Sequence, residues 1–110
     1  MITKFKIYEG LGSYPKEGSY IIGNSTVDKQ WNHIKITQQH IDYLNTHVGK
    51  VTELMPNVAY PYRVEYDNPP EFMKKLIQDN NLWFSKREIL YCSNDKTNCE
   101  AWLESKKYNI

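Results

Sequence analysis

Cysteine is nearly missing from this chain. Cys92 and Cys99 are the only two among 110 residues. They cannot build a disulfide-stapled scaffold, they lie too far apart for a CxxC redox motif, and no further cysteines complete a zinc set. An excess of one charge is missing too: 14 Lys and Arg against 13 Asp and Glu leave a formal net charge of +1. Nucleic-acid binders ordinarily show a basic excess or stripe, and a DNA mimic would be strongly acidic. Here the signs interleave, with Lys74 and Lys75 between Glu71 and Asp79, and Lys86 and Arg87 beside Glu88. No apolar run reaches the length of a membrane span. Residues 1–9 alternate, carry Lys4 and Lys6, and hold no run of signal-peptide length. These absences predict a cytoplasmic protein without membrane contact. Its two thiols are expected free, with a Cys92–Cys99 pair as the alternative.

Catalytic signatures are lacking as well. There is no Gly-x-Ser-x-Gly, P-loop, dinucleotide or His-Glu-x-x-His motif. The turn-forming stretch Gly10–Gly18 is not followed by a helix opening on Lys-Ser or Lys-Thr, so it does not read as a phosphate cradle. His33, His40 and His47 recur every seven residues, whereas metal-binding pairs usually stand closer together. Their default role is solvation or local hydrogen bonding. Cys99 reads as a small buried hydrophobe. Glu53, Glu65 and Glu88 read as solvated, outward strand residues. The expectation is a non-enzyme with no cofactor and no metal.

Aromatic residues are abundant: nine Tyr, three Trp and three Phe, 14% of the chain. Such side chains bury a large area each, which suits a small barrel, but they also suit a binding surface. Alternation predicts strands over Thr3–Tyr8 and Ser19–Ile22, forming an N-terminal hairpin with a long tip. The next segment is ambiguous. A strand over His33–Thr37, a short helix capped by Thr37 and running through Asn45, and a strand over Val48–Met55 is one reading; a single long helix is the other. Tyr60–Tyr66 alternates, with Tyr62, Val64 and Tyr66 on one face and Arg63 and Glu65 on the other. Asn68, Pro69 and Glu71 read as a helix start, with Phe72, Met73, Leu76 and Ile77 inward and an end at Asn80-Asn81. Leu82–Tyr91 is a further strand region. Thr97 to Glu100 repeats the capping-box pattern before a short helix striped by Cys99, Trp102 and Leu103.

Three segments carry a likeness to a known family: Val48-Gly49-Lys50-Val51-Thr52-Glu53, then Tyr60-Pro61-Tyr62-Arg63-Val64-Glu65-Tyr66-Asp67, then Trp83-Phe84-Ser85-Lys86-Arg87-Glu88-Ile89-Leu90. They resemble the small SH3-like barrels of phage and bacterial proteins, a group related in shape to KOW-type modules and to the barrel of nitrile hydratase β subunits. The likeness implies a mainly β (α+β) single domain over 1–110. Its five-stranded barrel core would span about 33–91, with the N-terminal hairpin, an inserted helix at about 69–80 and a short C-terminal helix as additions. Gly49 suits a barrel corner, where backbones approach closely.

If Tyr62, Val64 and Phe84 point inward, Arg63, Glu65 and Trp83 point outward on neighbouring strands, with Lys86 and Arg87 close by. An exposed Trp beside Arg is a typical interface anchor; the competing expectation covers Trp83 with Phe72 or Leu76 of the inserted helix. Tyr60-Pro61 and Tyr14 add a possible patch. The candidate binding residues are therefore Arg63, Trp83, Lys86, Arg87 and Tyr60. The function that the likeness and small size suggest is a protein-interaction module, a phage or mobile-element accessory that binds and modulates a host or defence protein. The alternative is a barrel that stacks single-stranded nucleic acid, and a third reading is a protein that sequesters a small molecule. An unprotected N-terminal strand edge would also allow pairing with a second copy.

Overall fold

The computed structural model describes residues 15–31, 33–77 and 82–108. The expected strand at Thr3–Tyr8, and Tyr14, lie outside them. Among the described residues seven strands form, β1 Tyr20–Gly23, β2 Gln30–Trp31, β3 Ile34–Lys35, β4 Val48–Leu54, β5 Tyr62–Glu65, β6 Trp83–Phe84 and β7 Ile89–Ser93. The helices are α1 Gln38–Thr46, α2 Glu71–Ile77 and α3 Lys96–Tyr108, with a one-turn 3-10 helix at Lys86–Glu88. Five strands make an antiparallel sheet in the order β6-β5-β4-β1-β7, and β2 and β3 form a separate hairpin. The α+β, mainly antiparallel architecture matches the sequence reading. Among the described residues no pairing joins β6 to β7, so the sheet is open and the expected closed barrel is not seen. None of the described helices is long and apolar enough to cross a membrane.

The sheet also differs from the expected core of 33–91. Residues Tyr20–Gly23, assigned from sequence to an added hairpin, sit inside the sheet between β4 and β7. Alternation explains how β1 serves two layers. Ile21 joins the main core with Val51, Tyr62, Val64, Phe84 and Cys92, beneath Trp31, Ile36, Leu44, Met73 and Leu76 from the hairpin, α1 and α2. Its neighbour Ile22 is equally buried but lies outside that cluster, as strand alternation requires. It belongs to the other face, where α3 packs on β7, β1 and β4. There Cys99 is fully buried and Trp102 stacks on Tyr91 with ring centroids 5.6 Å apart.

Glycine permits the tight contact between β4 and the core. A Cβ at Gly49 would lie 2.5 Å from Val64 Cγ1 and 2.8 Å from Tyr66 Cζ, and one at Gly23 would lie 2.6 Å from Phe84 Cε2. The register of β4 on β5 shifts between Val51 and Glu53; such a bulge bends the strand and increases its twist.

Helix starts follow local chemistry, in two cases differently from the sequence expectation. Thr37 opens α1 as predicted: its N–H donates to His40 Nδ1 at 3.0 Å, the reciprocal half of a capping box in which histidine replaces the usual glutamate. At α2 the expected cap Asn68 is displaced. Two consecutive prolines lack N–H groups, and each disfavours right-handed helical backbone in the residue before it. Asn68 therefore turns the chain at φ 44°, and the helix opens on the Pro70 carbonyl, which accepts from Met73 and Lys74. At α3 the cap is Asp95, not Thr97, because the Thr97 N–H donates to Asp95 Oδ1 at 3.0 Å. That helix runs for 13 residues, longer than the short one expected.

Candidate interaction site

The strand expected over Leu82–Tyr91 is broken by the 3-10 turn, and this break creates the site. Glu88 folds back on the residue before the turn. Its Oε1 accepts from the Ser85 N–H at 2.9 Å and the Ser85 hydroxyl at 3.2 Å. Ser85-x-x-Glu88 is a capping-box sequence, so the signal was present, set between the apolar runs Leu82-Trp83-Phe84 and Ile89-Leu90-Tyr91. Contrary to the expectation of a solvated glutamate, Glu88 is only 5% exposed. Its other oxygen accepts from the Ser25 hydroxyl at 3.4 Å and pairs with the Lys29 ammonium. A buried carboxylate requires such partners, because desolvating an unpaired charge is costly.

The backbone of loop 24–29 is tied at one end to this turn and at the other to the residue after β3. The Asn24 N–H donates to the Glu88 carbonyl at 2.8 Å, and the Ile36 N–H donates to the Lys29 carbonyl at 2.7 Å. Lys29 reaches further: its Nζ stands 4.6 Å from the Tyr60 ring centroid and 5.4 Å from that of Trp31. Burial alone would lower its pKa, but the hydrogen bond to Glu88 and the contact with Tyr60 outweigh that, and the ammonium is held above the ordinary lysine value. Between loop 24–29, Tyr60 and residues 85–88 lies a pocket of about 260 Å³, with Arg87 exposed among its lining residues.

The five residues singled out from sequence separate into groups. Tyr60 and Arg87 line this pocket. Arg63 and Trp83 are cross-strand partners on the opposite parity from buried Tyr62 and Phe84. Trp83 is half-buried. Of the two residues proposed as its cover, Phe72 packs against His40 and Tyr43, with centroids 5.8 and 6.1 Å away, and Leu76 is fully buried in the core cluster. The Arg63 guanidinium is already engaged, donating to Glu53 at 2.9 Å and Glu65 at 3.4 Å. Lys86 is exposed and close enough to Cys92 to oppose the upward shift that burial imposes on that thiol.

Other candidates resolve locally. His33 sits at φ 68° in the β2–β3 turn. His47 stacks on Tyr43 at 3.9 Å, and its Nδ1 lies 3.0 Å from both the Tyr43 carbonyl oxygen and the Thr46 hydroxyl. Nδ1 of His40 accepts from the backbone N–H of Thr37. Neither Cys92 nor Cys99 is in a disulfide, and both are buried. A second depression of about 330 Å³ mixes Asp67 and Glu100 with Lys96 and His47, a balance that selects no ligand class.

No protein-family model matches this chain, and no curated protein or solved structure matches it.

Proposed function

We propose that the chain is a non-enzymatic interaction module that binds another protein through the surface formed by loop 24–29, the β4–β5 hairpin end and residues 85–88. One observation carries this reading. The large hydrophobic residues exposed among the described residues are Val27, Leu54, Met55, Val58 and Tyr60. All five lie in the two segments that the Lys29–Tyr60 contact ties together. Scattered exposed apolar residues need no explanation, but a concentration in adjoining loops marks an interaction surface.

The non-enzymatic part is supported by the state of the reactive groups. Glu88 has both oxygens committed to structural donors, and burial raises both thiol pKa values, the reverse of nucleophile activation. An SH3-like barrel as the scaffold is part of the proposal. In its favour, the three segments carrying the likeness form β4, β5 and the β6–β7 region of one sheet, and Gly49 meets Val64 and Tyr66 at the close approach such a corner needs.

The test is capture of proteins from candidate host lysates by the intact chain and two folded variants. Tyr60→Ala combined with Arg87→Glu is expected to abolish capture, while Arg63→Ala combined with Trp83→Ala retains it. The opposite pattern would move the binding face to the Arg63–Trp83 strands. Equal capture by all three would remove both faces.

A further inference from the structure

We infer, resting on the interaction-module reading, that the partner segment is a peptide pairing an Asp or Glu side chain with flanking aliphatic or aromatic residues. The acidic group is seated on Arg87.

The inference follows from counting what the pocket has left to offer. An ionised carboxylate has about four lone-pair sites. Glu88 accepts from the Ser85 N–H, the Ser85 hydroxyl, the Ser25 hydroxyl and the Lys29 ammonium, so its acceptor capacity is spent inside the protein. Lys29 is correspondingly neutralised. Arg87 is different: it is exposed at the pocket, and no described carboxylate lies within ion-pair distance of it. The lining charges, Lys29, Arg87 and Glu88, sum to one positive charge, and Asn24 and Thr26 add polar side chains beside it. Such a surplus of donors favours an anionic acceptor, and a guanidinium fork matches a carboxylate with two parallel hydrogen bonds.

Size and surroundings choose among anions. At about 260 Å³ the pocket falls below the roughly 300–1,000 Å³ of ordinary small-molecule sites, so it suits one side chain better than a sequestered metabolite. The two segments that meet at the pocket through Lys29 and Tyr60 also carry exposed Val27, Leu54, Met55 and Val58, which suit peptide side chains rather than a phosphodiester. A nucleic-acid backbone would also meet a chain of net charge only +1, with Glu53 and Glu65 half-exposed on the neighbouring sheet face.

A displayed random peptide library selected on the intact chain tests this. Selected peptides are then synthesised and measured against wild type, Arg87→Glu, Arg87→Lys and Tyr60→Ala, each checked for folding by thermal melting. The expected result is enrichment of Asp or Glu beside Leu, Ile, Val or Phe. Affinity should fall about tenfold or more in Arg87→Glu, and less in Arg87→Lys, which keeps charge but loses the fork. Peptides without acidic enrichment, or bound equally by Arg87→Glu but lost in Tyr60→Ala, would overturn the inference while leaving the interaction face standing. If no peptides are enriched, or oligothymidylate binds and displaces them at low salt, both readings fail.

Discussion

Substituting Gly49 by alanine tests the packing at the centre of the sheet. The added Cβ would fall 2.5 Å from Val64 Cγ1, 2.8 Å from Tyr66 Cζ and 3.0 Å from Tyr66 Cε2. Val64 is fully buried and Tyr66 is only 8% exposed, so neither neighbour can swing into solvent. Overpacking a filled core costs about 1–3 kcal/mol, and contacts this short on a branched side chain and a ring place the cost in the upper half. Alanine recovers roughly 0.5–1 kcal/mol through its lower backbone entropy loss in a strand. The net destabilisation is then about 1–2.5 kcal/mol, or a fall in Tm of roughly 4–20 °C at about 4–8 °C per kcal/mol. Urea titration followed by tryptophan fluorescence, with thermal melting by circular dichroism, measures it. Val64→Ala removes one of the clashing atoms, so the double variant should be less destabilised than the sum of the singles by about 0.5 kcal/mol or more. A Gly49→Ala protein as stable as wild type, or strictly additive energies, would refute the close-packing account.

Glu88→Gln keeps an acceptor for the Ser85 cap but loses the ion pair, and should cost about 1.5–3 kcal/mol in urea unfolding, the range for hydrogen bonds to charged groups. A cost near zero would mean that Glu88 is solvated as its sequence context suggests. The alkaline limb of the stability profile is set by buried acids. Burial first, then Cys92, Glu100 and Asp95, pushes the Cys99 thiol up to about 12 from an ordinary 9.0. Between those values the folded chain keeps a proton that the unfolded chain has lost, so stability falls as pH rises. The raised Lys29 ammonium acts in the same direction above the ordinary lysine pKa. Urea midpoints measured upward from pH 8 should therefore decline, and Cys99→Ala should decline less steeply above pH 9; identical slopes would exclude Cys99 as a source.

Local chemistry was legible wherever a signal was repeated along a single segment. The alternation Tyr62, Val64, Tyr66 appears as three buried residues separated by half-exposed Arg63 and Glu65. Of the predicted inward set Phe72, Met73, Leu76 and Ile77 of α2, the last three are buried and Phe72 is partly buried against the core. Competing signals caused the misses. The Pro69-Pro70 pair delayed α2, Asp95 outbid Thr97 as a cap, and Ser85-x-x-Glu88 made a turn of the polar residues between two apolar runs. In each case the winning interaction was local, yet its strength depended on which backbone groups the fold left without partners.

For the candidate site the division is sharper. Sequence alone named Tyr60 and Arg87, because an exposed aromatic and an arginine are recognisable as types. It also determined the strand alternation and the near-neutral charge, both of which are properties of neighbouring residues. Only the tertiary structure decided that Tyr20–Gly23 joins the sheet between β4 and β7, since strand pairing depends on residues far apart in the chain. The same holds for the pocket. Lys29 and Glu88 are separated by 59 positions, and nothing in either segment announces the other. Their pairing buries a carboxylate and frees Arg87 from any need to neutralise it, while Arg63 is engaged separately by Glu53 and Glu65. Which charge is spent inside the fold and which remains for a partner is a property of three-dimensional proximity, and no linear pattern encodes it.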